Sequence, residues 1–398
     1  LAVIHHRAHH AKAVTLQSLS LHAVLSPNRK VLVVRSRQQL HLLVHLAAAV
    51  QRQAVPHVEA DKTMAKIIKI GTRGSQLALW QAHWVKSELE RVASQSIGYR
   101  DICIEIIKIK TTGDQITDRP LSMVGGKGLF VKEIEQQLLD QEIDIAVHSM
   151  KDMPGDLPEG LTVGAIPVRE NPFDVLISRD NLCLDALPSG ARIGTSSLRR
   201  ASQIRHARPD IIPISIRGNL DTRLRKLDAG EYDAILLAAA GLIRLGMAER
   251  ITQYLDENIM VPAVGQGALC IESRQNDGYI SQILRQLDER VTRIPVEAER
   301  SFLKRMEGSC HIPVACFGKI VENQDGSARE QLILTGLVAS EDGTEVIRES
   351  LSCFLERDGK ELPEIEGASQ AAQSMGIRLA DLLLMNGADQ ILENLKNS

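Results

Sequence analysis

From residue 64 onward, short apolar runs alternate with longer segments whose apolar residues recur every three or four positions. A short run that is apolar throughout reads as a strand covered on both faces, and the periodic segments read as amphipathic helices. A chain that alternates the two builds parallel sheets through right-handed crossovers. In such sheets ligands bind just beyond the carboxyl ends of the strands. That pattern restricts the chain to α/β architectures and says where its chemistry belongs.

Taken in order, Ile67-Ile68-Lys69-Ile70 is a strand and Gly71-Thr72-Arg73-Gly74-Ser75 a tight turn. Leu77, Leu79, Trp80, Trp84, Val85 and Leu89 follow at helical spacing, with Ser75 as the N-cap. A second strand runs from 102 to 110. Residues 111–128 have no period and contain several glycines, which in a compact domain marks a functional or mobile loop. A helix over 129–140 leads to a strand over 143–147. His148-Ser149-Met150-Lys151-Asp152 comes next, and Pro154, Gly155 and Pro158 stop any helix there.

Pro167 and Pro172 suggest a domain crossing, after which the alternation restarts. Strands are expected at 173–178, 192–194, 211–216 and 234–238, with helices at 197–207 and 219–229. A further strand, 267–273, follows the loop Val261-Pro262-Ala263-Val264-Gly265. Beyond 287 the order changes to a helix at 295–307, strand-like runs at 314–321, 331–339 and 345–354, and a closing helix at 368–386. The expected architecture is α/β: two doubly wound α/β domains flanking a cleft, residues 64–167 plus 262–286 and residues 168–261. A smaller α+β domain, 287–398, completes it.

Residues 1–63 look foreign to this pattern. They hold eight of the twelve histidines and eight Lys/Arg against two acids, Glu59 and Asp61. They read as an extension, disordered or upstream of a start at Met64; a basic, acid-poor transit peptide is the alternative. The remaining 39 basic and 48 acidic side chains leave residues 64–398 at −9. An acidic body argues against nucleic acid as partner, and aromatics at 3% leave few platforms on which bases could stack. No apolar run approaches the length of a membrane span. The six cysteines are scattered without a Cys-x-x-Cys pair, so neither a zinc site nor a disulfide framework is indicated. Reduced thiols inside a cell fit best.

Charged residues collect at the predicted strand ends. Gly194-Thr195-Ser196-Ser197-Leu198-Arg199-Arg200 is a strand end, a hydroxyl-rich turn and a helix start, where free amides and the helix dipole favour an anion. Arg217-Gly218-Asn219-Leu220-Asp221-Thr222-Arg223 ends the next strand in the same style, Arg244 follows the strand after it, and Arg73 closes the first. Helix solvation explains one such arginine. It does not explain six on one edge, and a polyanionic ligand does. Gly125-Gly126-Lys127-Gly128 lacks the spacing of a phosphate-cradling loop, so several carboxylates suit the arginines as well as phosphate does. Lys151-Asp152 alone would pass for a surface ion pair of little energetic worth, but at a strand end it points into the same cleft. Cys310, in Gly308-Ser309-Cys310-His311, is either a reactive thiol or an inert one; the residues alone leave both open.

Residues 64 to about 390 resemble the porphobilinogen deaminase (hydroxymethylbilane synthase) family, in segments 71–81, 125–133, 146–154, 194–200, 217–223, 239–246, 261–269 and 308–313. Residues 1–63 match nothing in it. The resemblance implies a transferase of tetrapyrrole biosynthesis. It joins four porphobilinogen molecules head to tail with loss of ammonia and releases linear hydroxymethylbilane. It implies a dipyrromethane cofactor in thioether linkage to Cys310, with Asp152, Lys151 and Arg73 as catalytic residues. Ser75, Lys127, Lys151, Asp152, Thr195, Ser197, Arg199, Arg200, Arg217, Gly218 and Arg223 fall on cofactor-binding positions. Arg73, Ser75, Arg217, Arg223 and Arg244 fall on substrate-binding positions. No metal, nucleic acid or membrane is implied; a monomer in the cytoplasm is, or in a plastid if residues 1–63 are a transit peptide. A two-domain solute-binding protein has a similar hinge and cleft, but needs no Cys310 and carries an export signal.

Overall fold

The computed structural model describes residues 24–26, 29–31, 66–95, 102–115, 128–306, 312–322, 330–355 and 365–396. The chain divides into two compact units, Leu1–Met64 and Ala65–Ser398. In the first, β1 (Val24–Ser26) and β2 (Arg29–Val31) pair as an antiparallel hairpin. Everything that follows belongs to the second.

Its elements begin with β3 (Lys66–Arg73), α1 (Gln76–Gln95), β4 (Ile102–Ile109), the single turn α2 (Thr112–Gln115), α3 (Lys132–Leu139), β5 (Ile145–Ser149) and β6 (Leu161–Ala165). Next come β7 (Asp174–Ser178), β8 (Arg192–Gly194), α4 (Leu198–Ala207), β9 (Ile212–Ile214), α5 (Leu220–Asp228), β10 (Ala234–Ala238), α6 (Ala239–Arg244) and β11 (Gln253–Leu255). The chain then runs through β12 (Leu269–Arg274), α7 (Gly278–Leu284), α8 (Arg290–Arg305), β13 (Val314–Glu322), β14 (Glu330–Ala339) and β15 (Val346–Leu355). It ends with α9 (Ile365–Leu383) and α10 (Asp389–Lys396).

These strands form a sheet of order β4-β3-β5-β12-β6, a sheet of order β11-β7-β10-β8-β9, and a three-stranded sheet β13-β14-β15. Both five-stranded sheets are covered on both faces. In the first, Ile70, Val147 and Ile271 pack under α1 and α7, while Ile143 and Ala146 meet Ile134 and Leu138 of α3 on the other face. In the second, Leu176, Ile193 and Leu236 face Ile204 of α4, and Val175, Ile235 and Leu237 face Leu224 and Leu227 of α5. The third sheet is an antiparallel meander carrying α8 and α9 on its inner face, with Phe302, Leu334, Leu379 and Leu383 fully buried between them.

Three expectations need correction. The sheets are mixed rather than parallel. β3 pairs parallel with β4 and β5, and β8 with β9 and β10, but β12 runs antiparallel to β5 and β6, and β7 antiparallel to β10 and β11. β7 and β12 are entered directly from the other sheet. A strand reached without a helical crossover is free to run antiparallel to its neighbours, whereas a parallel neighbour needs the crossover. The strands β6 and β11 also went unread, one because Gly164 interrupts its apolar run and the other because it is three residues long. At the C-terminal end, α8 begins at Arg290, where Glu289 accepts from Val291 N at 3.4 Å, and keeps Pro295 inside its second turn.

The two passages between the sheets are tied down by one carboxylate. Glu299 of α8, 0% exposed, accepts from the Arg169 guanidinium (2.6 and 3.1 Å), from Gly265 N (2.6 Å) and from Gly318 N (2.9 Å). Arg169 also donates to the Gln266 carbonyl, and its own amide donates to Thr292 Oγ1. Both passages are therefore fastened to the helix that carries the third sheet.

Candidate functional site

The strand ends converge as the alternation required. β3 delivers Arg73 and Ser75. Ser75 Oγ accepts from Ala78 N at 3.2 Å and so caps α1. β5 delivers Ser149, and the chain then makes one 3-10 turn, Met150–Asp152, which buries Met150 and leaves Asp152 exposed. Arg73, Ser75, Gln81, Phe130, Ser149 and Asp152 line a cavity of about 60 Å³. Gln81 Nε2 donates to Ser149 Oγ at 2.9 Å, fixing the head of α1 to the end of β5. His148, also on the cavity wall, places Nε2 3.1 Å from Glu272 of β12, a pair closed off from solvent. A second buried acid, Glu135 of α3, is pushed up to about 7 by burial and by the Glu272 charge.

The second sheet contributes cations. Ser197 caps α4, and Thr195 Oγ1 accepts from Ser197 N at 3.2 Å, so both hydroxyls shape the turn. Arg199 and Arg200 are buried and close on a residue the sequence did not single out, Asp174. Arg199 donates to it through both Nη atoms (2.7 and 3.1 Å) and to the Val261 carbonyl (2.8 Å); Arg200 donates through Nε (2.7 Å). Burial alone would raise the Asp174 carboxyl, but the two guanidiniums outweigh it and hold it well below the usual carboxylate range. Arg200 continues to the Leu236 carbonyl at 3.2 Å. The one signal was an acid at the head of an otherwise apolar strand, since a buried charge demands a partner.

Lys151 stands half-buried beside this cluster. Burial and the Arg200 charge press its ammonium down to about 8, against the pull of Asp152 and Asp174. Arg223 donates to the Gly218 carbonyl at 2.8 Å, and burial together with Arg200 and Arg217 brings it down to about 10. Gly218 has φ +110°, and a Cβ there would lie 2.5 Å from the Thr222 side chain, so the turn admits no larger residue without strain. Arg217 has no hydrogen-bond partner among the described residues. Among the described residues, Lys151, Arg199, Arg200, Arg217 and Arg223 thus gather five cations about two carboxylates, Asp152 and Asp174. Like charges gathered in a partly desolvated cleft are stable only with anions between them, and a ligand carrying several carboxylates supplies those.

Arg244 sits apart from that cluster. It donates to the Gly267 carbonyl at 2.7 Å, with its guanidinium 6.0 Å from the Trp80 ring, and burial brings it down to about 10. Arg73 is paired with Asp114 and stacked at 4.0 Å on Phe130. Asp114, Gln81, Phe130 and Ser149 carry no local pattern of their own. Lys127 and Cys310 lie outside the described residues.

The chain matches the family model "Porphobilinogen deaminase, dipyromethane cofactor binding domain" over residues 68–282 and "Porphobilinogen deaminase, C-terminal domain" over 294–385. It is 50% identical over 328 residues to the porphobilinogen deaminase of Nitratidesulfovibrio vulgaris, covering 82% of this chain and 96% of that one. It is 48% identical over 326 residues to that of Pelobacter propionicus, with the same coverage. To that of Brevibacillus brevis it is 47% identical over 324 residues, covering 81% and 96%. Among solved structures it is distantly similar to the periplasmic VFT2 domain of Bordetella pertussis BvgS, at 13% identity and a TM-score of 0.33, covering 56% of this chain and 86% of that domain.

Proposed function

The chain belongs to the porphobilinogen deaminase family, and on that premise we propose which of its residues carry the reaction. The protein is a transferase: it condenses four porphobilinogen molecules head to tail with loss of ammonia, on a dipyrromethane cofactor, to linear hydroxymethylbilane. Each pyrrole carries an acetate and a propionate, so cofactor, growing chain and incoming substrate are all polycarboxylates. The excess of cations over carboxylates around Lys151, Arg200 and Arg223 is the observation that carries the assignment.

Cys310 would hold the cofactor through a thioether, with Thr195, Ser197, Arg200, Arg217, Gly218, Arg223 and Lys127 around its carboxylates and Arg199 bracing them through Asp174. Arg73, Ser75 and Arg244 would meet incoming substrate, with Arg217 and Arg223 shared. The bound cofactor supplies a pyrrole carbon to which the first substrate ring is joined. When ammonia leaves, the C–N bond breaks with its electron pair on nitrogen, and positive charge is left on the substrate's methylene and ring. Asp152, exposed at the cavity wall, faces that charge; at about 4 Å a carboxylate stabilises it by roughly 4 kcal/mol at an intermediate dielectric. As the new C–C bond forms, the ring carbon that attacks the substrate methylene would give up its proton, and Asp152 is placed to take it. Lys151, pressed to about 8, holds a proton that it can exchange near neutral pH.

The same reading divides the second unit into three domains, 64–167 plus 262–286, 168–261 and 287–398, the last presenting Cys310. It takes the protein to work as a monomer in the cytoplasm, or in a plastid if residues 1–63 direct it there. Intact mass spectrometry of the wild type and Cys310→Ala tests the cofactor assignment. The variant should lose the mass of two pyrrole units. A variant that keeps that mass puts the attachment on another residue.

A further inference from the structure

We propose that Asp114 is a placeholder carboxylate, occupying the edge of the Arg73 guanidinium that a carboxylate arm of the substrate takes over on binding. The proposal rests on the reading of Arg73 as a substrate-binding residue. Substrate then enters by exchanging one carboxylate for another on Arg73.

The geometry around Asp114 carries this. Arg73 brings Nε (3.1 Å) and one Nη (2.5 Å) onto Asp114 Oδ1, with Nε also 3.3 Å from Oδ2, so the guanidinium edge that could grip both oxygens of a free carboxylate is spent on Asp114. One face of the guanidinium is covered by Phe130 at 4.0 Å. Asp114 is held by its own segment whether or not Arg73 is present. Thr111 Oγ1 donates to Asp114 Oδ2 at 2.9 Å, Gly113 N donates to the Leu129 carbonyl at 2.8 Å, and Thr112 N donates to Glu133 at 2.9 Å. Gly113 lies so flat on Phe130 that a Cβ would come within 2.3 Å of the ring. Asp114 is therefore the fixed member of the pair and Arg73 the one free to swing.

Arg73 and Phe130 form one wall of a cavity of about 60 Å³, whereas small-molecule pockets begin near ~300 Å³. A pyrrole with two carboxylate arms is larger than that cavity, so seating it against Arg73 would displace side chains of the wall, and the Arg73–Asp114 pair is one of the contacts there. The pair is partly exposed, at 20% and 29%, so it is weak enough to exchange. Asp114 is charged when substrate arrives: burial would raise its carboxyl, but Arg73 and Thr111 hold it below the usual range.

The test compares Asp114→Asn, Thr111→Val and Arg73→Leu as holoenzymes. For each, KM and kcat for porphobilinogen are measured, together with the porphobilinogen concentration that half-saturates the first covalent adduct counted by intact mass. Releasing Arg73 from its placeholder should lower KM and the half-saturating concentration about two- to fivefold in Asp114→Asn, at unchanged melting temperature. Thr111→Val should shift both the same way by less, and it decides the matter if Asp114→Asn folds poorly. If either well-folded variant leaves both values unchanged or raises them, Asp114 orients Arg73 for substrate and the proposal is overturned. If Arg73→Leu leaves both values unchanged, the reading of Arg73 itself fails. If Arg73→Leu raises them while Asp114→Asn does not lower them, the placeholder alone fails.

Discussion

Replacing Asp152 by Asn keeps the side chain's size and removes its charge, while Asp152→Glu keeps the charge and moves it by about one methylene. If charge stabilises the departing-ammonia step, Asn should elongate the chain far more slowly than Glu. Glu should itself lose on the order of a hundredfold, since small misplacements of a reacting group cost about that much. Turnover of the two variants, with intact masses to show that both carry cofactor, checks this; equal activity removes charge from the role. Glu135 offers a stability readout next door. Its carboxyl is raised to about 7 by burial, Glu272 adding to the shift and His148 and Lys132 opposing it. Between its ordinary value of 4.5 and about 7 the folded state therefore binds more proton than the unfolded state. Its contribution is present below 4.5 and lost as pH rises through about 7. Glu135→Gln should gain on the wild type across that window, by on the order of 1–3 kcal/mol at pH 8, with no difference at pH 4. Urea titrations at several pH values measure it.

Helix α4 is positioned from its first turn. Ser197 caps it, and Arg199 and Arg200 turn inward to Asp174 at the head of β7, with Arg199 reaching the Val261 carbonyl in the passage between sheets. From the sequence, Arg199 is expected to meet a ligand carboxylate, and its loss to spare the fold. The structure also gives Arg199 a buried internal carboxylate, Asp174, so its loss reaches the fold as well. Arg199→Leu should therefore destabilise the protein by about 3–5 kcal/mol, because it leaves Asp174 buried with one guanidinium where it had two. Asp174→Asn with Arg199→Leu should recover part of that loss. Chemical denaturation of the single and double variants decides it, and a stable Arg199→Leu would put the helix's anchor elsewhere.

Across the whole second unit, the two passages between the five-stranded sheets meet on Glu299, which joins Arg169, Gly265 and Gly318. Glu299→Ala strands the Arg169 guanidinium and two backbone donors in a dry interior. The expected cost is about 3–5 kcal/mol. Hydrogen exchange should show it as lost protection in residues 166–172 and 262–268 before either sheet opens, whereas uniform loss would mean that Glu299 acts on the global fold alone.

What the sequence determined by itself is what local physics can write into it. Apolar runs and helical periods placed most strands and the longer helices, though not β6, β11 or the short helices α2, α6, α7 and α10, because burial on two faces or on one stripe leaves a pattern only where the element is long enough to repeat it. The hydroxyls and arginines after the strand ends located the binding edge, since in an α/β sheet that edge follows from strand direction. Tertiary structure alone decided the pairings. Asp174 lies 25 residues from Arg199, Gln81 68 from Ser149, Glu299 130 from Arg169, and Asp114 41 from Arg73. Contacts between residues that far apart leave no periodic trace in the chain. The same is true of strand direction at β7 and β12, which depends on the route the chain takes between sheets. So the sequence named the arginines, and only the fold showed that Arg199 closes on Asp174 while Arg217 has no hydrogen-bond partner among the described residues.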